Sequence, residues 1–144
     1  MYLCLMRHGK AQPFSLKKPD KLRELTEKGC WQADSMANWA ASWWPEGKTA
    51  LWVSPYVRTC QTASYLEQQL PIGQFHTHEA LASGDLVAVY DQILSQEKSD
   101  VVCIVGHSPF LDRWVQAWTG TAIDFKTGSM ALLDFDVHGG RIGS

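Results

Sequence analysis

The sequence predicts an α/β fold: a three-layer sandwich with a mostly parallel central sheet and helices on both faces. Two observations predict it. Short apolar runs alternate along the chain with helical patterns, which indicates βαβ units. The runs are also almost uninterrupted, as expected of parallel strands buried on both faces, and residues 101–105 form the clearest of them.

The elements can be placed in order along the chain. Strands are predicted at residues 2–6, 50–53, 74–77, 101–105 and 130–137, and helices at residues 26–44, 55–70, 86–94 and 109–118. Thr26 is a predicted N-cap of the first helix. Because Met36, Trp39 and Trp43 recur there at helical spacing, we expect them to pack in the core rather than to form a partner surface.

Composition excludes several classes of protein. The chain has 144 residues without a repeat or linker, so we expect one domain over residues 1–144. With 45% apolar and 19% charged residues it is not a disordered chain, and a net charge of −2 argues against a general nucleic-acid binder. No apolar run approaches the ~18–20 residues of a membrane span.

Cysteine usage predicts a reducing compartment. Cys4, Cys30, Cys60 and Cys103 contain no CxxC pair, and most lie in apolar surroundings. We therefore expect reduced, largely buried thiols and a cytoplasmic protein, without a structural metal site.

Three motifs each follow a predicted strand. They are Arg7-His8-Gly9, Ser54-Pro55 with Arg58 one helical turn later, and Gly106-His107-Ser108-Pro109. Ligands of open α/β sheets bind beyond the carboxyl ends of the strands, so these motifs are predicted to meet there. Ser54 and Ser108 are predicted helix N-caps, and Gly9 and Gly106 allow close backbone approach.

The arginines and histidines that are predicted to meet there suit phosphoryl transfer. Arginine forks match phosphate oxygens, and an imidazole held in line can act as the nucleophile. Neighbouring arginines keep one histidine neutral, while the other can stay protonated when phosphate is bound. This chemistry needs no metal and no cofactor, and the motifs contain no carboxylate cluster to hold one.

Together the motifs resemble those of the histidine phosphatase superfamily, which includes the phosphoglycerate mutases. Leu25-Thr26-x-x-Gly29 and the pair Gln61-Thr62 also match that family's pattern. The short chain looks most like the SixA-type phosphohistidine phosphatases. The resemblance implies that His8 is the nucleophile and that Arg7, Arg58 and His107 form the phosphate pocket; the predicted phosphate-binding set also includes Gly9 and Ser108.

Two departures from the family limit the assignment. Residues 9–16 lack the asparagine of the mutases, and the chain has no room for their long insertions, so a mutase activity is not expected. The proton donor is open: Glu79 follows the third strand, where the family commonly places a carboxylate, Asp85 is the nearest competitor, and release of an imidazole can proceed with a weakly placed acid or none.

The leading hypothesis is a phosphatase that forms a covalent phosphohistidine at His8 and dephosphorylates phosphohistidine on another protein. One alternative is a small-molecule phosphomonoesterase, and another is a phosphate-binding module without turnover. A basic loop also lies near the first motif, and it is either a solvated loop or a rim that steers phosphorylated partners; its members are Lys10, Lys17, Lys18, Lys21 and Arg23. The sequence predicts no oligomeric state.

Overall fold

A six-stranded, mostly parallel sheet forms the centre of the protein, in a computed structural model that describes residues 1–136 and the backbone of 141–143. The strands are β1 (Tyr2–Arg7), β2 (Thr49–Val53), β3 (Ile72–Thr77), β4 (Val101–Gly106), β5 (Met130–Asp136) and β6 (Arg141–Gly143). Their order is β3-β2-β4-β1-β5-β6; the first four are parallel, whereas β5 and β6 are antiparallel to their neighbours. β6 was not predicted, and Val137 lies outside the described residues.

Helices cover both faces of this sheet, which confirms the predicted fold class. They are α1 (Glu27–Ala41), α2 (Val57–Gln69), α3 (Ala80–Ser83), α4 (Leu86–Val89) and α5 (Phe110–Thr119). A π-helical turn, Tyr90–Leu94, continues α4, and a short 3-10 turn, Asp20–Leu22, precedes α1. Sequence patterns missed that turn and α3 because neither is long enough to show helical periodicity. Among the described residues, no helix is both long and apolar enough to cross a membrane.

Strand side chains alternate between two buried clusters. Leu3 and Leu5 of β1 pack with residues of α3, α4 and α5, whereas Cys4 and Met6 pack with residues of α1 and α2. Every residue of β4 is buried, as its continuous apolar run predicts. The sheet therefore lies between two packed layers.

Strand order explains why the three motifs meet. β4 lies between β1 and β2, with Arg7 opposite Gly106 and Val53 opposite Val105 in register. The residues that follow these three parallel strands therefore leave the same edge of the sheet side by side.

One packing prediction on α1 is wrong, because Trp39 is 58% exposed. The buried face of α1 consists of Gly29, Ala33, Ala37 and Ala40. These small residues let the helix lie close to the sheet, and Trp39 lies outside that face.

Two backbones touch where α1 meets the first motif. A Cβ added to Gly9 would collide with the carbonyl of Gly29, and a Cβ added to Gly29 would collide with the carbonyl of Lys10. Thr26 caps the helix here as predicted, since its side chain accepts a hydrogen bond from the Gly29 N–H at 3.1 Å. This contact fixes the loop that leaves His8.

We predict that Gly29→Ala destabilises the protein by about 3 kcal/mol, because neither backbone can yield to the added methyl group. Urea unfolding measures the change. Gly73→Ala is the matched control, since its Cβ would meet only the Thr49 carbonyl oxygen at 3.5 Å. Equal losses in the two variants would show that the Gly9–Gly29 approach is not a constraint.

Candidate active site

One cavity of about 410 Å³ lies beyond the strand ends and collects most of the predicted site residues. Arg7, His8, Arg58, His107 and Ser108 line it. Further lining residues were not in the predicted site set; those used below are Lys10, Asp20, Arg23, Tyr56 and Thr127.

His8 is oriented by its own backbone. Its ring is buried, and Nδ1 lies 2.7 Å from the carbonyl oxygen of Gly9. A carbonyl can only accept a hydrogen bond, so Nδ1 carries the proton and Nε2 carries the lone pair. The Nε–H of Arg58 donates to that Nε2 at 3.4 Å. The unprotonated Nε2 of His8 therefore lies beside the Arg58 guanidinium.

Electrostatics keep His8 neutral. The pKa of His8 is lowered from 6.5 to about 4, mainly because the ring is buried. The hydrogen bond to Gly9 acts in the opposite direction, and the positive charges of Arg58, Arg7 and Arg23 add to the lowering. The lone pair on Nε2 is thus free of a proton at neutral pH, which is the state a nucleophile requires.

His107 faces His8 across the cavity. The ring centroids lie 5.4 Å apart in an edge-on arrangement, and a hydrogen bond of 2.7 Å joins His107 Nε2 to the Ser54 hydroxyl. Burial, together with the neighbouring His8 and Arg58, lowers the pKa of His107 to about 3. Both imidazoles are therefore uncharged at neutral pH.

Ser54 has a different role from the predicted one. Ser54 is fully buried, in contact with His107. Helix α2 begins only at Val57, and Tyr56 is the residue that precedes it. The predicted N-cap at Ser54 is therefore wrong. The Ser54 carbonyl instead accepts a hydrogen bond from the Thr59 hydroxyl at 2.7 Å, which closes the turn into α2.

Arg7 has a donor to spare. Its Nη1 donates to the Phe125 carbonyl at 2.8 Å, which fixes the guanidinium at the cavity wall. Its Nε is buried and has no hydrogen-bond partner within the described part of the chain. A buried N–H without a partner is costly, so this group favours an anion that can accept from it.

Arg58 is held by a loop that sequence reasoning did not connect to it. Its Nη1 donates to the Asp20 carbonyl at 2.8 Å, and its Nη2 lies 3.3 Å from the Asp20 carboxylate. Arg23 donates to the same carboxylate at 2.8 Å. Burial alone would raise the pKa of Asp20, but the Arg23 hydrogen bond and the charge of Arg58 together hold it below its usual value.

The loop returns over the cavity because its two ends pair with each other. Ala11 and Leu25 form an antiparallel bridge, and the Gln12 N–H donates to the Glu24 carbonyl at 2.9 Å. Of the predicted basic loop, Lys10 and Arg23 line the cavity. No short motif identifies Asp20; the 3-10 turn and these backbone contacts bring it to Arg58.

The hydrogen bonds of Gly9 and Ser108 are made within the protein. The Gly9 N–H already donates to the Thr62 hydroxyl at 3.1 Å, and Gly9 does not line the cavity. Gly9 packs against Gly29, and its contact with phosphate stays a prediction. Ser108 lines the cavity, but its hydroxyl donates to Asp112 at 2.6 Å rather than capping α5, which begins at Phe110.

Neither candidate proton donor lines this cavity. Glu79 is exposed and borders a neighbouring depression, with Tyr56 as the residue common to both. Asp85 caps α4, where its carboxylate accepts from the Ala88 N–H at 3.1 Å. Among the described residues, no group of three or more His, Cys, Asp or Glu side chains could hold a metal ion.

We predict that stability falls as the pH drops from 6.5 towards 4. In that range an unfolded chain protonates its histidines while folded His8 and His107 stay neutral. The stabilisation is complete above pH 6.5 and is lost by up to about 1.4 kcal/mol per pH unit and per histidine. Urea unfolding across this range measures the slope.

The matched variant for this prediction is His107→Gln, which removes one of the two titrations. Its unfolding free energy should fall less steeply with decreasing pH than that of the wild type. An unchanged slope would contradict the assignment of a neutral, buried imidazole at position 107.

Comparison with known proteins agrees with the strand-end motifs. The family model of the histidine phosphatase superfamily (branch 1) matches residues 3–86. Phosphohistidine phosphatase SixA of Escherichia coli (strain K12) is 33% identical over 145 residues, which cover 96% of this chain and 88% of that protein.

Solved structures agree as well. The protein histidine phosphatase SixA complexed with tungstate superimposes with a TM-score of 0.85 at 28% identity, covering 99% of this chain and 93% of that chain. A structure from Agrobacterium tumefaciens has a TM-score of 0.80 at 22% identity, covering 94% and 92%, and so shows a shared fold alone. The chain therefore belongs to the histidine phosphatase superfamily and is a phosphatase.

Proposed function

We propose that this phosphatase removes the phosphoryl group from phosphohistidine on another protein, through a covalent phosphohistidine at His8. Arg7, Arg58 and His107 hold the phosphoryl oxygens. Arginine donors neutralise the charge that phosphoryl transfer spreads over those oxygens.

The free thiols of Cys4, Cys30, Cys60 and Cys103 support a reducing, cytoplasmic location.

The first step is a transfer between two imidazoles. The lone pair of His8 Nε2 attacks phosphorus, and the bond from phosphorus to the substrate nitrogen breaks. Its electron pair returns to the substrate ring, which leaves as neutral imidazole because its other nitrogen already carries a proton. His8 then carries the phosphoryl group on Nε2 and keeps its proton on Nδ1, and this N–H continues to donate a hydrogen bond to the Gly9 carbonyl.

Water completes the reaction. Its oxygen attacks phosphorus, the bond to Nε2 breaks, and the electron pair returns to His8. Both protons of the water stay on the released phosphate, so the enzyme regains its starting state without a cofactor.

One observation carries the choice of substrate. Asp20 is the only carboxylate among the described residues that line the cavity, and Arg23 and Arg58 hold it ionised. An ionised carboxylate is a poor proton donor. An alkoxide leaving group needs a proton from the enzyme, whereas a phosphohistidine ring that is protonated on its other nitrogen leaves as neutral imidazole without one, so the cavity favours a P–N bond over an ester.

The relatives support this choice. The Escherichia coli relative is named a phosphohistidine phosphatase, and the solved SixA structure holds tungstate, a tetrahedral oxyanion of the same shape as phosphate.

We predict that the purified protein hydrolyses histidine-phosphorylated proteins at a kcat/KM at least about 100-fold above its values for sugar and nucleotide phosphates. Phosphate release from a matched panel of both substrate classes measures this. His8→Asn should lower turnover by about 1,000-fold or more in either class, since it removes the nucleophile. A clear preference for the esters would assign a small-molecule phosphomonoesterase instead, and no turnover of either class would leave a binding module.

Glu79→Gln is predicted to change phosphohistidine turnover by less than about twofold, because the Glu79 side chain does not line the cavity. Steady-state rates on one phosphoprotein and one phosphate ester measure the effect. A loss of about 100-fold on either substrate would identify Glu79 as the proton donor and would require the depression beside Tyr56 to join the cavity during turnover.

A further inference from the structure

An apolar groove of about 310 Å³ lies directly beside the catalytic cavity. Trp31, Met36 and Trp39 of α1 line one side of it, and residues 127–129 line the other. We call it the tryptophan groove. The site described above uses none of its tryptophans.

Two large aromatic side chains are left in solvent there. Trp31 is 67% exposed and Trp39 is 58% exposed. They are eight residues apart on α1, so both lie on one face of the helix. Trp39 rests edge-on against Trp43, with ring centroids 5.0 Å apart, which orients its ring. Tryptophan is enriched among the residues that dominate binding energy at protein interfaces.

The groove is fixed to the catalytic cavity through one turn. Thr127 lines both. The next residue, Gly128, donates its N–H to the carbonyls of Arg7 at 3.2 Å and His8 at 3.0 Å. A Cβ on Gly128 would come within 2.8 Å of the Gln32 side chain on α1, so the turn also packs against the helix.

The size of a protein–protein contact places the groove under any protein substrate. A specific interface covers about 800 Å² on each partner, a patch of roughly 16 Å radius. When a phosphohistidine enters the cavity, a patch centred there includes a groove that shares a wall with it.

We propose that the tryptophan groove is the docking surface for the protein substrate and receives apolar side chains that lie beside its phosphohistidine. This inference rests on the proposed function and adds the chemistry by which the partner is recognised. Lys10 and Arg23 at the cavity contribute positive charge next to the apolar groove. The partner thus presents a phosphoryl group and a neighbouring aliphatic or aromatic patch on one rigid surface.

The test compares two substrates that share one reacting bond. One is the phosphoprotein with the highest kcat/KM in the panel described above, and the other is the free amino acid phosphohistidine. Trp31→Gln and Trp39→Gln should each raise KM for the phosphoprotein about tenfold, and their double variant more. The kcat/KM for free phosphohistidine should stay within about twofold of the wild-type value.

Tyr2→Gln is the matched control. Tyr2 is also an exposed aromatic residue, at 44%, but it begins β1, whereas the cavity lies beyond the other end of that strand. It should leave both substrates unaffected. Urea unfolding of each variant separates a loss of fold from a loss of docking.

The outcomes separate the two proposals. If the phosphoprotein is hydrolysed and the tryptophan variants keep the wild-type KM, the docking inference is overturned while the proposed function stands. The inference is also overturned if the variants lose activity equally on both substrates. If the wild type hydrolyses no phosphoprotein, the proposed function fails and the docking inference fails with it.

Discussion

The hydrogen bond between His8 Nδ1 and the Gly9 carbonyl is the interaction on which the rest of the site depends. It assigns the ring proton to Nδ1 and leaves the lone pair on Nε2, where Arg58 also reaches. The carbonyl can act in this way only because Gly9 is itself held in place. Thr62 accepts its N–H, and the contact with Gly29 leaves no space for a side chain. The motif Arg7-His8-Gly9 is thereby held in place by α1, through Gly29, and by α2, through Thr62.

The charges of the cavity have two effects at once. In the proposed reaction the arginines supply donors for a phosphoryl group, and their field also disfavours protonation of His8 and His107, which burial already disfavours. Asp20 partly balances this charge, because its carboxylate pairs with Arg58 and Arg23. An arriving phosphoryl group therefore meets two neutral imidazoles and a guanidinium that is already oriented.

The predictable part of the site is the part set by the sheet. Arg7, His8 and His107 each end or directly follow a parallel strand, so the uninterrupted apolar runs that mark these strands are enough to predict that the three residues meet. Arg58 could be included because it lies in the first turn of α2, the helix that follows β2.

Side-chain choices and loop contacts were not predictable in the same way. Ser54 has the sequence context of an N-cap but makes a hydrogen bond to His107. Asp20 makes a hydrogen bond with Arg58 from a loop whose sequence has no periodic pattern. The exposure of Trp39 depends on how closely an alanine face approaches the sheet, which spacing alone does not reveal. Glu79 follows a strand as expected, yet its strand, β3, is at the edge of the sheet and away from β1.

The most direct measurement is the linkage of the phosphoryl group on the enzyme itself. Protein labelled with nitrogen-15 in histidine is mixed with a phosphohistidine donor and trapped in alkali, and phosphorus–nitrogen coupling identifies the bonded nitrogen by NMR. The account predicts a single phosphoryl group on Nε2 of His8. A phosphoryl group on Nδ1 of His8, or on another residue, would contradict it.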